Sequence, residues 1–241
     1  MQIYSKTDIG LKRSSNQDYA ATCKLNENTY LAVVCDGMGG ANAGNVASEM
    51  AAKSISRYIT NAYRNEMDSF EIEKLLKNAI SSANIEIYDM SLKSTELFGM
   101  GTTTVVAIIR DDKAIIAHVG DSRAYIANDE LKLLTRDHSV VQSLLESGKI
   151  TPEDAKVHPR KNVITRALGA EENVVVDTLE TEFPSESILM LCTDGLTGYA
   201  DEKEIFEILK NSDCNLAEKL IELAYAGGGG DNINVVTIIN R

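Results

Sequence analysis

Cysteine is scarce in this 241-residue chain, and its placement gives no thiol-based metal or redox motif. The four cysteines, Cys23, Cys35, Cys192 and Cys214, show no close C-x-x-C spacing. Two of them lie inside apolar, strand-like runs, where cysteine usually serves as a small buried hydrophobic residue. Such thiols fit a reducing compartment, so the expected location is the cytoplasm.

Long apolar runs are also missing. No uninterrupted hydrophobic stretch approaches the ~20 residues that a membrane-spanning helix needs. The N-terminal sequence MQIYSKTDIG lacks the apolar core of a signal peptide. Both absences predict a protein that does not insert into a membrane.

Positive charge is in deficit. The chain has 24 Lys and Arg against 36 Asp and Glu, a formal net charge of −12. Long-range electrostatics therefore disfavours binding to nucleic acid or to anionic membranes. An acidic protein that acts on phosphate needs metal cations to invert the local charge.

Hydrophobic patterns are present throughout and predict a single domain over residues 1–241. Hydrophobic residues make up 44% of the chain, which is enough for one packed core, and no linker or repeat interrupts it. The patterns predict, in order, three strands, two long amphipathic helices, further strands, two more helices and a last strand at Ile233–Ile239. This order is typical of an α+β fold in which helices pack on antiparallel sheets.

Residues 30–40, YLAVVCDGMGG, join an apolar run to a carboxylate and several glycines. The β-branched run predicts a buried strand that ends at Asp36. A carboxylate at the end of a buried strand is costly unless it meets a cation or strong donors. The neighbouring glycines allow the backbone to turn sharply against a ligand. This stretch therefore predicts half of a metal site.

Four further aspartates stand where other strands begin or end. Asp194 follows an apolar run, Asp231 precedes the last strand, and Asp18 and Asp121 lie at strand edges. Strand ends can converge at one edge of a sheet, and carboxylates brought together need cations to remain ionised. All-oxygen sites favour Mg²⁺ or Mn²⁺. The alternative for each Asp-Gly pair is an ordinary turn.

Seven motifs, in order along nearly the whole chain, resemble those of the type 2C metal-dependent serine/threonine protein phosphatases, especially the compact bacterial catalytic domains. The motifs are Arg13-x-x-Asn16-Gln17-Asp18, Asp36-Gly37-Met38-Gly39-Gly40, Gly101-Thr-Thr, Gly120-Asp121-Ser122-Arg123-Ala124-Tyr125, Asp137-His138-Ser139, Cys192-Thr193-Asp194-Gly195-Leu196 and Gly230-Asp231-Asn232. The resemblance implies a four-layer α-β-β-α sandwich, with two antiparallel sheets flanked by helix pairs.

The resemblance also implies a set of metal ligands. Asp36 bridges two ions, and the carbonyl group of Gly37 binds one of them. Asp194 and Asp231 complete the protein ligands of the other ion. Asp18 acts mainly through metal-bound water.

Two further roles follow from the same resemblance. Asp121 holds a third, weaker ion that it shares with Asp194. Arg13 clamps the substrate phosphate, because its planar guanidinium matches two phosphate oxygens. The alternative for Arg13 is a solvated turn residue.

The implied activity is hydrolysis of phosphoserine and phosphothreonine in proteins. Two or three Mn²⁺ or Mg²⁺ ions lower the pKa of a bridging water, and the resulting hydroxide attacks phosphorus in line with the leaving oxygen. The implied partners are phosphorylated proteins, including a cognate bacterial serine/threonine kinase, and the implied state is a monomer. The alternative is a catalytically inactive, phosphatase-like binding or regulatory module, which does not need all of these aspartates.

Other phosphatase and nucleotide-binding classes lack their signatures. None of the cysteines is followed by Arg six residues later, as a covalent cysteine phosphatase requires, and neither Asp36 nor Asp194 begins a D-x-D motif. Three histidines without a G-N-H motif do not fit the calcineurin-like enzymes. The glycines after Val34 do not have G-x-G-x-x-G spacing.

The chain departs from the family pattern at two positions. At Met38 some members carry a histidine that is a candidate general acid, and Ala41 also differs from the pattern.

Residues 136–162 are charged, with short helical patterns, and we expect a surface flap that influences substrate choice. His118 lies in an apolar strand, so we expect a hydrogen-bonded core residue. We expect His138, beside an aspartate in a loop, to be structural.

Overall fold

The computed structural model describes residues 1–39, 43–93, 95–211 and 215–241. Gly40 of the glycine-rich motif, Ala41 and Cys214 lie outside the described residues. The strands are β1 (Gln2–Asp8), β2 (Asp18–Lys24), β3 (Thr29–Met38), β4 (Gly101–Thr102), β5 (Thr104–Arg110), β6 (Lys113–Val119), β7 (Arg123–Ala127), β8 (Leu131–Leu133), β9 (Asp177–Glu182), β10 (Ile188–Cys192) and β11 (Ile233–Ile239). The helices are α1 (Ala43–Ala62), α2 (Ser69–Lys93), α3 (Val140–Glu146), α4 (Pro152–Val157), α5 (Asp194–Thr197), α6 (Glu202–Asn211) and α7 (Leu216–Ala226).

The strands form two antiparallel sheets. The first sheet has the order β1-β11-β10-β7-β8, and the second has the order β2-β3-β5-β6-β9, with the short β4 paired to the end of β3. Successive segments of the chain cross between the sheets. The loop from β1 to β2 and the turn from β6 to β7 therefore both lie where the two sheets meet.

Three apolar clusters separate four layers. One cluster lies between the sheets and includes Val34, Leu191 and Val236. A second packs α1 and α2 on the outer face of the β3 sheet, and a third packs α6 and α7 on the outer face of the β11 sheet. The predicted α-β-β-α sandwich is confirmed.

Alternation along β3 explains why its sequence is an unbroken apolar run. Leu31 and Val33 face the helices, whereas Ala32 and Val34 face the other sheet. Both faces are buried, since side chains alternate across a strand and this strand has a layer on each side. Asp36 therefore lies near the end of a strand that is packed on both faces.

The strand predicted over residues 101–110 is interrupted at Thr103. The backbone N–H of Thr103 donates to the carbonyl of Asp36 at 2.8 Å, and the Thr103 hydroxyl accepts from the Asp36 N–H at 3.0 Å. Thr103 thus pairs with Asp36 through its side chain instead of continuing the ladder. The break holds the end of β3 in place.

The charged segment after β8 is closed by a short antiparallel ladder. The amide N–H of Val140 donates to the Val163 carbonyl, and that of Thr165 donates to the His138 carbonyl. Helices α3 and α4 lie between these residues, as the patterns predict. None of the helices in the described ranges is long and apolar enough to cross a membrane.

Candidate active site

Asp18 and Asp36 lie directly opposite each other on β2 and β3. The Asp18 side chain is buried, and its Oδ2 accepts a hydrogen bond from the Thr193 hydroxyl at 2.8 Å. Its other oxygen, Oδ1, is buried without a hydrogen-bond partner among the described residues. A buried carboxylate oxygen left unpaired is costly, so this atom points to a missing cation or donor.

Thr193 fixes the position of the third aspartate. Its N–H donates to the Asn234 carbonyl at 3.1 Å, and its hydroxyl accepts from the Asn234 N–H at 3.0 Å. These bonds join the end of β10 to β11. Asp194 follows at once and begins the one-turn helix α5, an element that the hydrophobic pattern did not predict. Because the Thr193 hydroxyl also binds Asp18, this residue brings the two sheets together beside the acidic side chains.

Asp231 is tied to the loop that carries Arg13. The Arg13 Nη2 donates to Asp231 Oδ2 at 2.7 Å, and the backbone N–H of Asn232 donates to Asp231 Oδ1 at 2.8 Å. About half of the Arg13 side chain is exposed. Burial lowers its pKa, but the hydrogen bond to Asp231 has the larger effect, and the pKa of Arg13 lies above its ordinary value.

Asn232 has a structural role that sequence reasoning missed. Its side-chain oxygen accepts from the Gln17 N–H at 2.9 Å, and its amide nitrogen donates to the carbonyls of Ile9 and Ser15 at 2.8 and 2.9 Å. The sequence signal was present, since Asn232 belongs to the Gly-Asp-Asn motif. Only the fold shows that its partners lie more than 200 residues away.

Gly37 is needed as glycine at the end of β3. A side-chain carbon there would collide with the carbonyl oxygen of Gly44 at the start of α1. The backbone N–H of Gly37 donates to the Gln17 carbonyl at 3.0 Å. The residue therefore holds β3, the β1–β2 loop and α1 in close contact.

Asp121 lies in the turn between β6 and β7. The next residue, Ser122, is buried, and its hydroxyl is 2.7 Å from the hydroxyl of Thr103. Thr103 in turn binds both the backbone N–H and the carbonyl of Asp36. The Asp121 turn and the end of β3 are therefore linked by one short chain of hydrogen bonds.

The carboxylates perturb one another strongly. Burial raises the pKa of Asp36 well above its ordinary value, and the charges of Asp18, Asp194, Asp121 and Asp231 raise it further. Burial and the charge of Asp231 likewise raise the pKa of Asp194. Asp36 therefore lies within electrostatic range of the other four aspartates.

Two of these carboxylates have pKa values near neutrality. Burial raises the pKa of Asp18 to about 8; the hydrogen bond from Thr193 opposes this rise, and the charges of Asp194 and Asp231 add to it. Burial, followed by the charge of Asp194, raises the pKa of Asp121 to about 7. Such groups accept a proton or a cation readily, and a metal-binding role fits them.

The five aspartates, all in the described part of the chain, do not converge on a single point. Within the described residues, the one group of three potential ligands whose atoms all lie within 4.8 Å of one another is His118, His138 and Asp177. Unscreened carboxylates repel each other. A site for two cations about 3.5–4 Å apart also needs its ligands more widely spread than a single-ion site. The arrangement fits more than one divalent ion.

Comparison with known proteins places this geometry in a family. Residues 12–220 match the family model described as protein phosphatase 2C. The serine/threonine phosphatase stp of Listeria monocytogenes serotype 4b is 43% identical, over 99% of this chain and 95% of its own length. Protein phosphatase PhpP of Streptococcus pneumoniae is 37% identical, over 99% of this chain and 97% of its own length.

Solved structures agree with the sequence matches. The Streptococcus agalactiae serine/threonine phosphatase has a TM-score of 0.92 and 36% identity, covering 100% of this chain and 99% of that one. The catalytic domain of the serine/threonine protein phosphatase PstP, solved with two manganese ions, has a TM-score of 0.83 and 31% identity, covering 98% and 96%. Relatives named as phosphatases at this similarity do not support the alternative of an inactive module. The chain therefore belongs to the protein phosphatase 2C family, as a metal-dependent serine/threonine protein phosphatase.

Proposed function

We propose that the five aspartates are the ligands for two or three Mn²⁺ or Mg²⁺ ions. In this assignment Asp36 lies between two ions, the Gly37 carbonyl binds one of them, and Asp194 and Asp231 bind the other. Asp18 acts through water, and Asp121 with Asp194 holds a third ion. The observation that carries the proposal is the unpaired, buried Asp18 Oδ1, which lies opposite Asp36, a carboxyl whose pKa is raised by burial and by the neighbouring acidic charges.

The chemistry of the donor set favours these ions. Five carboxylates and a backbone carbonyl offer only oxygen, and no thiol or imidazole takes part in the assignment. When bound, such ions lower the pKa of water, supply the nucleophile and neutralise charge on the phosphoryl oxygens.

Arg13 orients the phosphate in this proposal. Its Nη2 already donates to Asp231, and about half of the Arg13 side chain is exposed to solvent. A planar fork can bind two phosphate oxygens at once and hold phosphorus in line for attack. Met38, at the place where some relatives carry histidine, brings no titratable group to the leaving oxygen.

The substrates are phosphorylated proteins. We propose that they include a cognate serine/threonine kinase of the same cell, that the enzyme works as a monomer, and that it acts in the cytoplasm. Support for the substrate class comes from the relatives, which are named as serine/threonine phosphatases. The flap, residues 136–162, is the proposed determinant of substrate choice because it is an exposed excursion whose root lies near Asp121.

The metal assignment is tested by calorimetric titration with Mn²⁺ and by hydrolysis of a phosphothreonine peptide with and without chelator. We expect Asp36→Ala to lose tight Mn²⁺ binding and turnover together. Asp129→Asn, which removes an exposed acidic group from the β7–β8 turn, is the matched control and should behave as the wild type. Hydrolysis that is insensitive to chelator, or normal Mn²⁺ binding in Asp36→Ala, would refute the assignment.

A further inference from the structure

A second cluster of titratable side chains lies behind the Asp121 turn. His118 on β6 pairs in register with Asp177 on β9, and both histidine side chains, His118 and His138, are almost fully buried. The imidazole rings stack with their centroids 4.7 Å apart. Arg166, which follows the flap in sequence, completes the cluster.

Hydrogen bonds fix the tautomer of His138. The backbone N–H of Gly120 donates to its Nδ1 at 3.1 Å, so Nδ1 is the unprotonated nitrogen. The proton of neutral His138 then lies on Nε2, which donates to Asp177 Oδ2 at 3.1 Å. Arg166 donates to the other oxygen of the same carboxylate at 2.8 Å. Gly120 and Arg166 therefore hold the hydrogen-bonded pair of His138 and Asp177 in one arrangement.

This cluster is unsuited to bind a metal ion, although its ligand atoms lie close together. The two rings are within 16° of parallel, and the lone pairs of stacked imidazoles point along separate planes that do not converge. The guanidinium of Arg166 lies 3.1 Å from His138 Nε2 and occupies the side on which a cation would approach. Arg166 itself supplies the positive charge that Asp177 needs.

The function of His138 is visible in its contact with Gly120. In addition to the bond to Nδ1, the backbone N–H of His138 donates to the Gly120 carbonyl at 2.9 Å. Gly120 has a φ of +105° and packs so tightly on Thr103 that a side-chain carbon would overlap it. Both polar backbone atoms of Gly120 are therefore held by one residue, immediately before Asp121.

The clamp also reaches the flap. The carbonyl of His138 accepts from Thr165 at 2.8 Å, next to Arg166, and His118 Nε2 contacts the Arg136 carbonyl at 3.0 Å. The first residue of the flap and the segment that follows the flap thus meet the same cluster. A change in the flap root would be transmitted to Gly120 through His138.

We propose that His138 is a positioning residue that holds the Gly120–Asp121 turn and thereby sets the affinity of the Asp121 cation. Asp177 and Arg166 orient its ring, and the cluster couples the flap to that cation. The inference rests on the proposed function for Asp121 as a ligand. It assigns no direct contact between His138 and substrate or metal.

Two substitutions at His138 separate the role of its Nδ1 from that of its Nε2. Asparagine places its amide oxygen near the position of Nδ1 and can accept from Gly120, whereas glutamine reaches toward Asp177 but leaves Gly120 without its acceptor. We expect His138→Gln to weaken the weakest Mn²⁺ site by about tenfold, the scale of lost outer-shell support. His138→Asn should stay within about threefold of the wild type, because the acceptor is retained. His158→Gln, in the flap, is the control.

The titrations are made by calorimetry on the full chain, with thermal melts to confirm folding. They are repeated in an Asp121→Asn background, where the His138→Gln effect should vanish if it acts through Asp121. Equal Mn²⁺ binding by His138→Gln and the wild type, equal weakening of every site, or an undiminished effect in the Asp121→Asn background would each overturn the proposal.

A further variant covers the case in which His138→Gln does not fold. Asp177→Asn keeps His138 but removes the charge that orients its ring, so it should weaken the same site by about tenfold; an unchanged site would overturn the proposal. Normal Mn²⁺ binding in Asp36→Ala would instead show that the metal assignment itself had failed.

Discussion

Arg13 donates to Asp231 at 2.7 Å, across 218 residues of sequence. The pair joins the proposed phosphate clamp to a proposed metal ligand. Because the pair is partly exposed to solvent, with 52% of the Arg13 side chain and 27% of the Asp231 side chain accessible, its contribution to folding stability is small. Its importance lies in orientation, since the acid fixes one edge of the guanidinium before substrate arrives.

Arg13→Ala should reduce kcat/KM for a phosphothreonine peptide by about 10- to 100-fold, because a charge-assisted, bidentate phosphate contact is lost. Arg13→Lys should recover only part of this loss, since a point charge cannot reproduce the fork. Mn²⁺ affinity should not fall, because Asp231 loses a competing cation. Steady-state kinetics beside calorimetry separates the two effects, and full activity of the lysine variant would contradict the clamp.

Removing one buried acid should stabilise the metal-free protein while destroying the enzyme. In chelator, Asp36→Asn should unfold at a higher temperature than the wild type, because burial and four neighbouring acidic groups oppose the Asp36 charge. At saturating Mn²⁺ the order should reverse. Differential scanning calorimetry under both conditions tests this, and a lower melting temperature for Asp36→Asn in chelator would count against the mutual repulsion.

Stability of the metal-free protein should fall as the pH rises from about 4 to about 8 and should level off above that range. The pKa of Asp18 is about 8 and that of Asp121 about 7 in the folded chain, against about 3.9 when unfolded. Between the unfolded and the folded pKa the folded chain holds a proton that the unfolded chain has released, so stability is lost progressively and the loss is complete once the pH exceeds the folded value. Urea denaturation in chelator measures the slope, and Asp18→Asn should flatten it. A rise in stability over this interval would contradict the assignment.

Charge reversal in the flap should change substrate choice. Lys156, Arg160 and Lys161 are exposed basic residues on a chain of net charge −12. Replacing all three with glutamate should lower kcat/KM for acidic phosphopeptides more than for p-nitrophenyl phosphate, and leave Mn²⁺ affinity unchanged. Lys74→Glu on α2 is the control. An equal loss on both substrates would remove the flap from substrate recognition.

Asn232→Ala should destabilise the protein by about 3 kcal/mol, because two carbonyls and one amide of the 9–17 loop lose their partners. Asn128→Ala, which removes an exposed turn contact, should cost less than about 1 kcal/mol. Chemical denaturation compares the two. A small effect at Asn232 would mean that the loop is held mainly by other contacts.

The elements that could be predicted from sequence are those whose pattern is local. The α1 and α2 helices follow from periodicity because each buries one face, and β11 follows from an apolar run that is buried on both faces. The break at Thr103 could not be found in this way, since it depends on a side-chain bond to the Asp36 backbone. The convergence of the aspartates was expected from strand ends, but their proposed division among ions comes from family resemblance alone.

The clamp between His138 and Gly120 shows why other contacts were missed. In the sequence, the two short motifs are separated by the β7–β8 hairpin, with no sign that they touch. Their pairing depends on the crossing from one sheet to the other at the β6–β7 turn. Long-range polar contacts of this kind leave no periodic trace.

The apolar layer around Val34, Leu191 and Val236 has a consequence for turnover. Asp18 and Asp36 lie on strands of one sheet. Asp194 follows β10, and Asp231 precedes β11, both strands of the other sheet. In the proposed assignment, the ion held by Asp36, Asp194 and Asp231 would join the two sheets, and the thickness of the apolar layer between the sheets would set the separation of its ligands. Loss of a methyl group from this layer, at a residue that does not itself bind the ion, would change that separation and with it the rate of phosphate cleavage.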